Sequence, residues 1–310
     1  MNLEQARFNM IEQQIRPWDV LDLSVLELLS LVHREDFVPE ALRAQAFVDT
    51  ELPLTAERRM LAPKVEARLF QELKVQRHEK VLEIGAATGH LAALLSHKAQ
   101  RVIALEPDAG LAAQAQANLR RAGVVNVTVL NQDGAAGLPA EEPFDAILLS
   151  GSVASVPQVL LNQLKVGGRL AAIVGNEPVM RAVLITRTGT SDFRTVQLFD
   201  TVAGRLPERV AVAMSFHGGG LVTEGPDSPH LAAPRIPAVV YVAAAENDAS
   251  FTAENGVTLA GALADAGVEH TVEFYPAAHG FAVPDNAPYD EAAAERHWAA
   301  MRDVFGSHLA

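Results

Sequence analysis

Val81-Leu82-Glu83-Ile84-Gly85-Ala86-Ala87-Thr88-Gly89-His90 is the stretch that decides the fold. An apolar run carrying one acid passes into a turn of small residues flanked by Gly85 and Gly89. Leu91-Ala92-Ala93-Leu94-Leu95 then continues as a helix. Strand, glycine turn and helix in that order grip a nucleotide-type cofactor. Residues without bulky side chains let the backbone approach a ligand, and the helix N-terminus offers unpaired N–H groups.

A dinucleotide fingerprint G-x-G-x-x-G needs glycine at 85, 87 and 90, and only Gly85 meets it. The E-x-G-x-G-x-G turn of S-adenosylmethionine (SAM) methyltransferases is met at Glu83, Gly85 and Gly89, with Ala87 in place of the middle glycine. That alanine adds one methyl group beside the ligand. Glu106 closes the apolar run Arg101-Val102-Ile103-Ala104-Leu105 and stands where an acid takes ribose hydroxyls. Asp133-Gly134 follows the next apolar run. A glycine-rich turn can also merely join strand to helix; the acids at 106 and 133 favour a cofactor, SAM.

The chain has 310 residues, enough for two domains or for one with a large extension. It has no cysteine, which excludes disulfides, cysteine-based zinc sites and a thiol nucleophile. No metal site is expected. No apolar run reaches the length of a membrane span, and Met1-Asn2-Leu3-Glu4-Gln5 does not open a signal peptide, so a cytoplasmic protein with no membrane partner is expected. The net charge of −13 argues against nucleic acid. Its distribution is uneven: residues 207–310 hold 14 acids against 4 arginines and no lysine, a net −10, which leaves −3 for residues 1–206.

Taken in order, residues 1–75 read as a helical segment. Leu21, Val25, Leu28, Leu29 and Val32 form a 3.6-period stripe that predicts an amphipathic helix over 21–32. A second helix follows Pro63, with Leu61, Val65, Leu69 and Leu73 on one face. From Lys80 the pattern alternates. Strands are expected at 80–84, 101–105, 127–130, 144–149 and 169–174, and helices at 89–98, 109–122 and 155–164. Gly167-Gly168 makes the turn before the fifth strand, and 182–187 with 195–199 reads as an edge hairpin around Thr188-Gly189-Thr190. This is a doubly wound, mostly parallel α/β sheet, whose ligand lies beyond the strands' carboxyl ends.

Residues 1 to about 206 resemble the protein-L-isoaspartate O-methyltransferase family. The resemblance rests on Met10-Ile11-Glu12-Gln13-Gln14-Ile15, Arg34-Glu35-Asp36-Phe37-Val38-Pro39, Leu52-Pro53-Leu54, Val81-Leu82-Glu83-Ile84-Gly85, Asp133-Gly134-Ala135-Ala136-Gly137, Phe144-Asp145 and Gly167-Gly168-Arg169-Leu170. It implies a SAM-methyltransferase, Rossmann-like fold over 76–206 and a SAM donor. It implies as acceptor the abnormal carboxylate of isoaspartyl residues in damaged proteins or peptides. Glu83, Gly85, Ala87, Gly89, Glu106, Asp133 and Gly134 are the implied cofactor residues. After Leu-Pro the family carries a hydroxyl-rich segment of the type Gln-Thr-Ile-Ser, and here Arg58-Arg59-Met60-Leu61 stands in its place. Leu61 occupies the position of the family serine. Arg58 and Arg59 are read as solvated surface arginines, or alternatively as contacts for an acceptor carboxylate. A SAM-binding paralogue with altered or lost acceptor activity is therefore a second reading.

Residues 207–310 change character. Strands are expected at 210–216, 238–245 and 271–275, helices at 252–266 and 289–309, and a tight turn at His217-Gly218-Gly219-Gly220. This piece is similar to the dienelactone hydrolase family of α/β-hydrolases, through Ser215-Phe216-His217-Gly218-Gly219-Gly220, Glu246-Asn247-Asp248 and Tyr275-Pro276-Ala277-Ala278-His279-Gly280-Phe281. The match places Asp248 and His279 at the triad acid and base. Only the last three strands of that fold are present, however, and no G-x-S-x-G elbow occurs. A base without a nucleophile does not hydrolyse esters by the triad route, so a hydrolase using Asp248 and His279 is the third reading.

Overall fold

The computed structural model describes residues 2–206, 212–216, 218–236, 238–285 and 287–308, and divides the chain into two compact units, Met1–Glu208 and Arg209–Ala310. No described helix is long and apolar enough to cross a membrane.

In the first unit, α1 (Leu3–Met10) starts where the Asn2 side chain accepts from the Gln5 N–H. Helix α2 (Leu23–Leu31) begins two residues later than the apolar stripe predicts. Asp22 is the stronger start signal, because its carboxylate accepts the Ser24 N–H at 2.9 Å and satisfies an orphan donor. Leu21 is thereby left outside the helix and 64% exposed, while Val25, Leu29 and Val32 are buried. Helix α3 (Pro63–Leu73) opens with its proline in the first turn, and Leu61, Val65, Leu69 and Leu73 are all buried.

The sheet then builds as the alternation predicts: β1 (Lys80–Ile84), α4 (His90–Ser96), β2 (Arg101–Leu105), α5 (Ala109–Arg121), β3 (Val127–Leu130), β4 (Phe144–Val153), α6 (Gln158–Asn162) and β5 (Leu164–Asn176). A hairpin of β6 (Val179–Arg187) and β7 (Phe193–Thr201) closes one edge. The order is β3-β2-β1-β4-β5-β6-β7, with β1 to β5 parallel and the last two strands antiparallel. Both β4 and β5 outrun their expected lengths. Gly167-Gly168 lies inside β5 beside a register shift, and the pairing continues past a second shift to Ser152 and Val153. The chain reverses its winding between β1 and β4, and their carboxyl ends open the crevice where ligands bind in such sheets.

The second unit is a parallel sheet β8-β9-β10 (Val212–Phe216, Val239–Ala245, His270–Tyr275) with α7 (Ala253–Asp265) and α8 (Glu291–His308). Thr252 and Asn255 form a reciprocal capping box at the start of α7. The central strand β9 is buried along most of its length. Strand β8 is only partly buried, since among the described residues it pairs on one side alone. Its expected start at 210 and 211, His217 of the turn, and residue 309 of the last helix lie outside the described residues.

Candidate functional site

The site grows from the end of β1. Side chains alternate along a strand, so Glu83 faces the same side as Val81 and is fully enclosed by the helical layer. Its Oε1 accepts the Ser150 hydroxyl at 2.8 Å across the β1–β4 crevice. Its Oε2 is buried with no hydrogen-bond partner. Burial pushes the Glu83 carboxyl up to about 8, with nearby Glu66 and Glu106 adding to the rise and Ser150 opposing it. A carboxyl that keeps its proton up to about pH 8, with one oxygen unspoken for, lines the cavity at the turn.

The turn itself needs left-handed backbone at three residues: Gly85 at φ 90°, Ala87 at φ 49° and Gly89 at φ 89°. Ala87 takes the place of the usual middle glycine at a cost of about 1–2 kcal/mol for an L-residue in that region. The Ala87 N–H is tied down by Glu106, whose Oε2 accepts it at 2.8 Å. The substitution expected to crowd the ligand therefore first strains the backbone. Gly85 and Ala86 both donate to the Leu105 carbonyl, which fixes the turn against β2.

Glu106 and Asp133 stand at the ends of β2 and β3 as the spacing requires. Asp133 Oδ1 accepts the Ala135 N–H at 2.9 Å, shaping the following turn. Gly134 packs so closely on β1 that a Cβ there would overlap Ile84 Cγ2. Glu106 is fully buried, and its Oε2 also receives Arg58 Nη2 at 2.8 Å. Arg58 is 4% exposed and paired with Glu106, so it is not the solvated arginine the sequence predicts. Leu52–Pro53 pairs with Arg59–Met60 in a short antiparallel ladder, and Thr55 caps the reversal between them by accepting the Arg58 N–H. Arg59 remains exposed and lines the cavity with Leu61, Glu83 and Ser150.

One cluster escaped the sequence reading. Arg34 is buried, donates to Glu66 Oε2, and reaches the Leu61 carbonyl at 2.6 Å and the Ala46 carbonyl at 3.1 Å. His90 Nδ1 lies 3.1 Å from the same Glu66 oxygen. Burial tends to raise the Glu66 carboxyl, but His90 and Arg34 outweigh it and hold it below the usual range. The available signal was a charged residue beside an apolar stripe: Glu66 adjoins Val65 in α3.

The residue set suits SAM: an acid for ribose hydroxyls, glycines at the backbone approach, and a buried carboxyl whose unpartnered oxygen a cation would ionise. The space is another matter. The cavity at the turn measures about 10 Å³, room for about one water, where ligand sites span about 300–1,000 Å³. Arg58 and the Leu206 side chain occupy the ground above Gly85 and Gly151.

In the second unit, Asp248 and His279 meet as the resemblance implies. His279 Nδ1 lies 2.6 Å from Asp248 Oδ2, and Ser250 Oγ donates to Asp248 Oδ1 at 2.5 Å. Burial pushes the Asp248 carboxyl up, but these two hydrogen bonds leave it below the usual carboxylate value. Ser215 sits within β8, not on a strand-to-helix elbow. An acid–base pair is assembled here without a nucleophile elbow among the described residues.

The profile of the family described as Protein-L-isoaspartate(D-aspartate) O-methyltransferase matches residues 5–201, and that of the Dienelactone hydrolase family matches residues 197–309. A protein-L-isoaspartate O-methyltransferase of Herpetosiphon aurantiacus is 38% identical over 186 residues, covering 60% of this chain and 83% of that protein. Protein-L-isoaspartate O-methyltransferase 1 of Syntrophobacter fumaroxidans is 40% identical over 185 residues, covering 60% and 86%. A Plasmodium falciparum structure described as a protein-L-isoaspartate O-methyltransferase in complex with S-adenosyl-L-homocysteine superposes with a TM-score of 0.56 at 18% identity. It covers 66% of this chain and 99% of that one, a likeness of fold. The turn, the acids at the strand ends and the profile over residues 5–201 agree: this chain belongs to the protein-L-isoaspartate(D-aspartate) O-methyltransferase family.

Proposed function

We propose that the chain transfers the methyl group of SAM to the carboxylate of isoaspartyl residues in damaged proteins or peptides. One observation carries this reading: Glu83, Leu61 and the 85–89 turn meet at the carboxyl end of β1, where Glu106 accepts the Ala87 N–H of that turn. In this reading Glu83, Gly85, Ala87, Gly89, Glu106, Asp133 and Gly134 hold the donor within residues 76–206. Leu61 stands on the acceptor side, framed by the helical residues 1–75, and residues 207–310 form a separate segment. Repair of cytoplasmic proteins is the setting that fits.

When bound, SAM supplies a methyl already activated on a sulfonium, which a carboxylate takes with no proton transfer. The chain's work is therefore alignment and exclusion of water. Buried Leu61 serves the second task where the family serine offers a hydroxyl. The Ser150 hydroxyl orients Glu83, and Glu83 presents its free oxygen to the cationic end of the donor.

The test is methyl transfer from labelled SAM to an isoaspartyl peptide beside its normal aspartyl twin. Base-labile label on the isoaspartyl peptide alone is expected. S-adenosylhomocysteine (SAH) binding with no label on either peptide would replace this reading by the second one, a SAM-binding paralogue with another acceptor. The substitution of the hydroxyl segment by Arg58-Arg59-Met60-Leu61 is the observation that favours that alternative.

A further inference from the structure

We propose that Arg58 and Leu206 form a built-in plug of the donor site, so that SAM binds only by displacing this chain's own side chains. The proposal rests on the donor reading above and goes beyond it to the control of entry.

Three features of the geometry carry it. First, Glu106 is already engaged on both oxygens: Oε2 accepts Arg58 Nη2 and the Ala87 N–H, each at 2.8 Å, and Oε1 accepts the Asp108 N–H at 3.2 Å. A ribose hydroxyl seeking this acid meets a guanidinium first. Second, Leu206 lies directly on the glycines. A Cβ built on Gly85 would come within 2.5 Å of Leu206 Cδ2 and 3.0 Å of Arg58 Nη2, and one built on Gly151 within 2.9 Å of Leu206 Cδ2. The backbone approach that these glycines open to a ligand is taken up by the protein. Third, Leu206 is anchored by a strap beyond β7. Ser152 N–H donates to the Gly204 carbonyl and Leu206 N–H to the Ser152 carbonyl, both at 2.9 Å. Ser152 Oγ reaches the Ala203 carbonyl at 2.8 Å, and Gly204 N–H donates to Glu51 at 2.9 Å.

The same structure shows why the plug can yield. Arg58 Nε is buried with no hydrogen-bond partner, and so is Glu83 Oε2 on the cavity wall. A buried guanidinium that is only partly satisfied recovers much of its cost on release to water. A donor ligand would satisfy the free Glu83 oxygen as it enters. The strap is held by hydrogen bonds to Ser152, Glu51, Gly175 and Asn176 and by the buried Ala203 and Leu206 side chains, and its release is a local opening that leaves the sheet intact. For a site that is open only a fraction of the time, apparent affinity falls by that fraction.

The experiment is calorimetric titration of SAH into the full chain and its R58Q, L206A and double variants, with hydrogen–deuterium exchange across 203–206. Each variant should bind SAH about tenfold tighter or more than the unaltered chain, as expected when a closed state of about 90% or more is relieved. SAH added to the unaltered chain should speed exchange at the Leu206 amide, as its bond to Ser152 is given up. Equal or weaker binding by the variants would overturn the plug and make Arg58 a bystander or a ligand contact, while leaving the donor reading in place. Exchange at 203–206 that SAH leaves unchanged or slows overturns the plug without any variant, so a misfolded substitution cannot shield it. No SAH binding by any of the four proteins would overturn the donor reading itself.

Discussion

Glu83 is a carboxyl whose ionisation the fold strongly suppresses. Its folded value near 8 lies above the ordinary 4.5, so above pH 4.5 the folded state keeps a proton that the unfolded chain has lost. Stability from this group is then present below about pH 4.5 and is lost progressively as pH rises through 8. Glu83→Gln removes that dependence while keeping the shape and a partner for Ser150. The variant and the unaltered chain are expected to be close in stability at pH 5. By pH 8.5 the variant should be more stable by about a few kcal/mol, measured by urea denaturation across the range. A constant difference at every pH would mean that Glu83 is ionised throughout. A cationic ligand reverses the sense of the effect, because it favours the ionised carboxylate. SAM, which carries the sulfonium charge that SAH lacks, is therefore expected to bind the unaltered chain more tightly at pH 8 than at pH 6.

At the level of elements, strands were legible where one apolar run met one turn signal, and side-chain insertions were not. Strands 80–84, 101–105 and 127–130 fall where the alternation places them, because buried parallel strands read as short apolar runs between glycines and helices. The ends of β4 and β5 were misjudged, since Ser150-Gly151-Ser152 and Gly167-Gly168 look like turns but are held in the sheet by neighbours distant in sequence. The fates of Arg58 and Leu206 depend on partners far off in sequence, Glu106 48 residues away in one case and Ser152 in the other, which no local period records. The Arg34–Glu66–His90 cluster is of the same kind: it ties the 34–36 turn, α3 and α4 together from three separate stretches. Glu66→Gln strips the charge that balances buried Arg34, and a buried ion left alone costs about 3–5 kcal/mol. The expected result is a loss of that size in chemical denaturation. A loss below about 1 kcal/mol would show that the cluster is solvated and contributes no such anchoring.

For the whole molecule, the two units differ in charge as sharply as in fold. Residues 207–310 carry −10 on a three-stranded sheet, about the smallest sheet that is stable with helices packed on it, while 1–206 carry −3 around seven strands. Self-repulsion at that charge density opposes the compact state and is screened by salt. Each unit has its own apolar clusters, so heat should unfold them separately. Scanning calorimetry of the full chain is expected to give two transitions. The first should belong to the acidic unit and move upward when salt is raised from 0.05 to about 0.5 M, where the screening length falls below about 5 Å. The second should respond to SAH instead, gaining about 2.7 kcal/mol at a hundredfold excess over its dissociation constant. Because the ligand acts through the first 206 residues alone, a shift of both peaks together would mean that the units unfold as one cooperative body. The acidic segment would then stabilise the methyltransferase it follows.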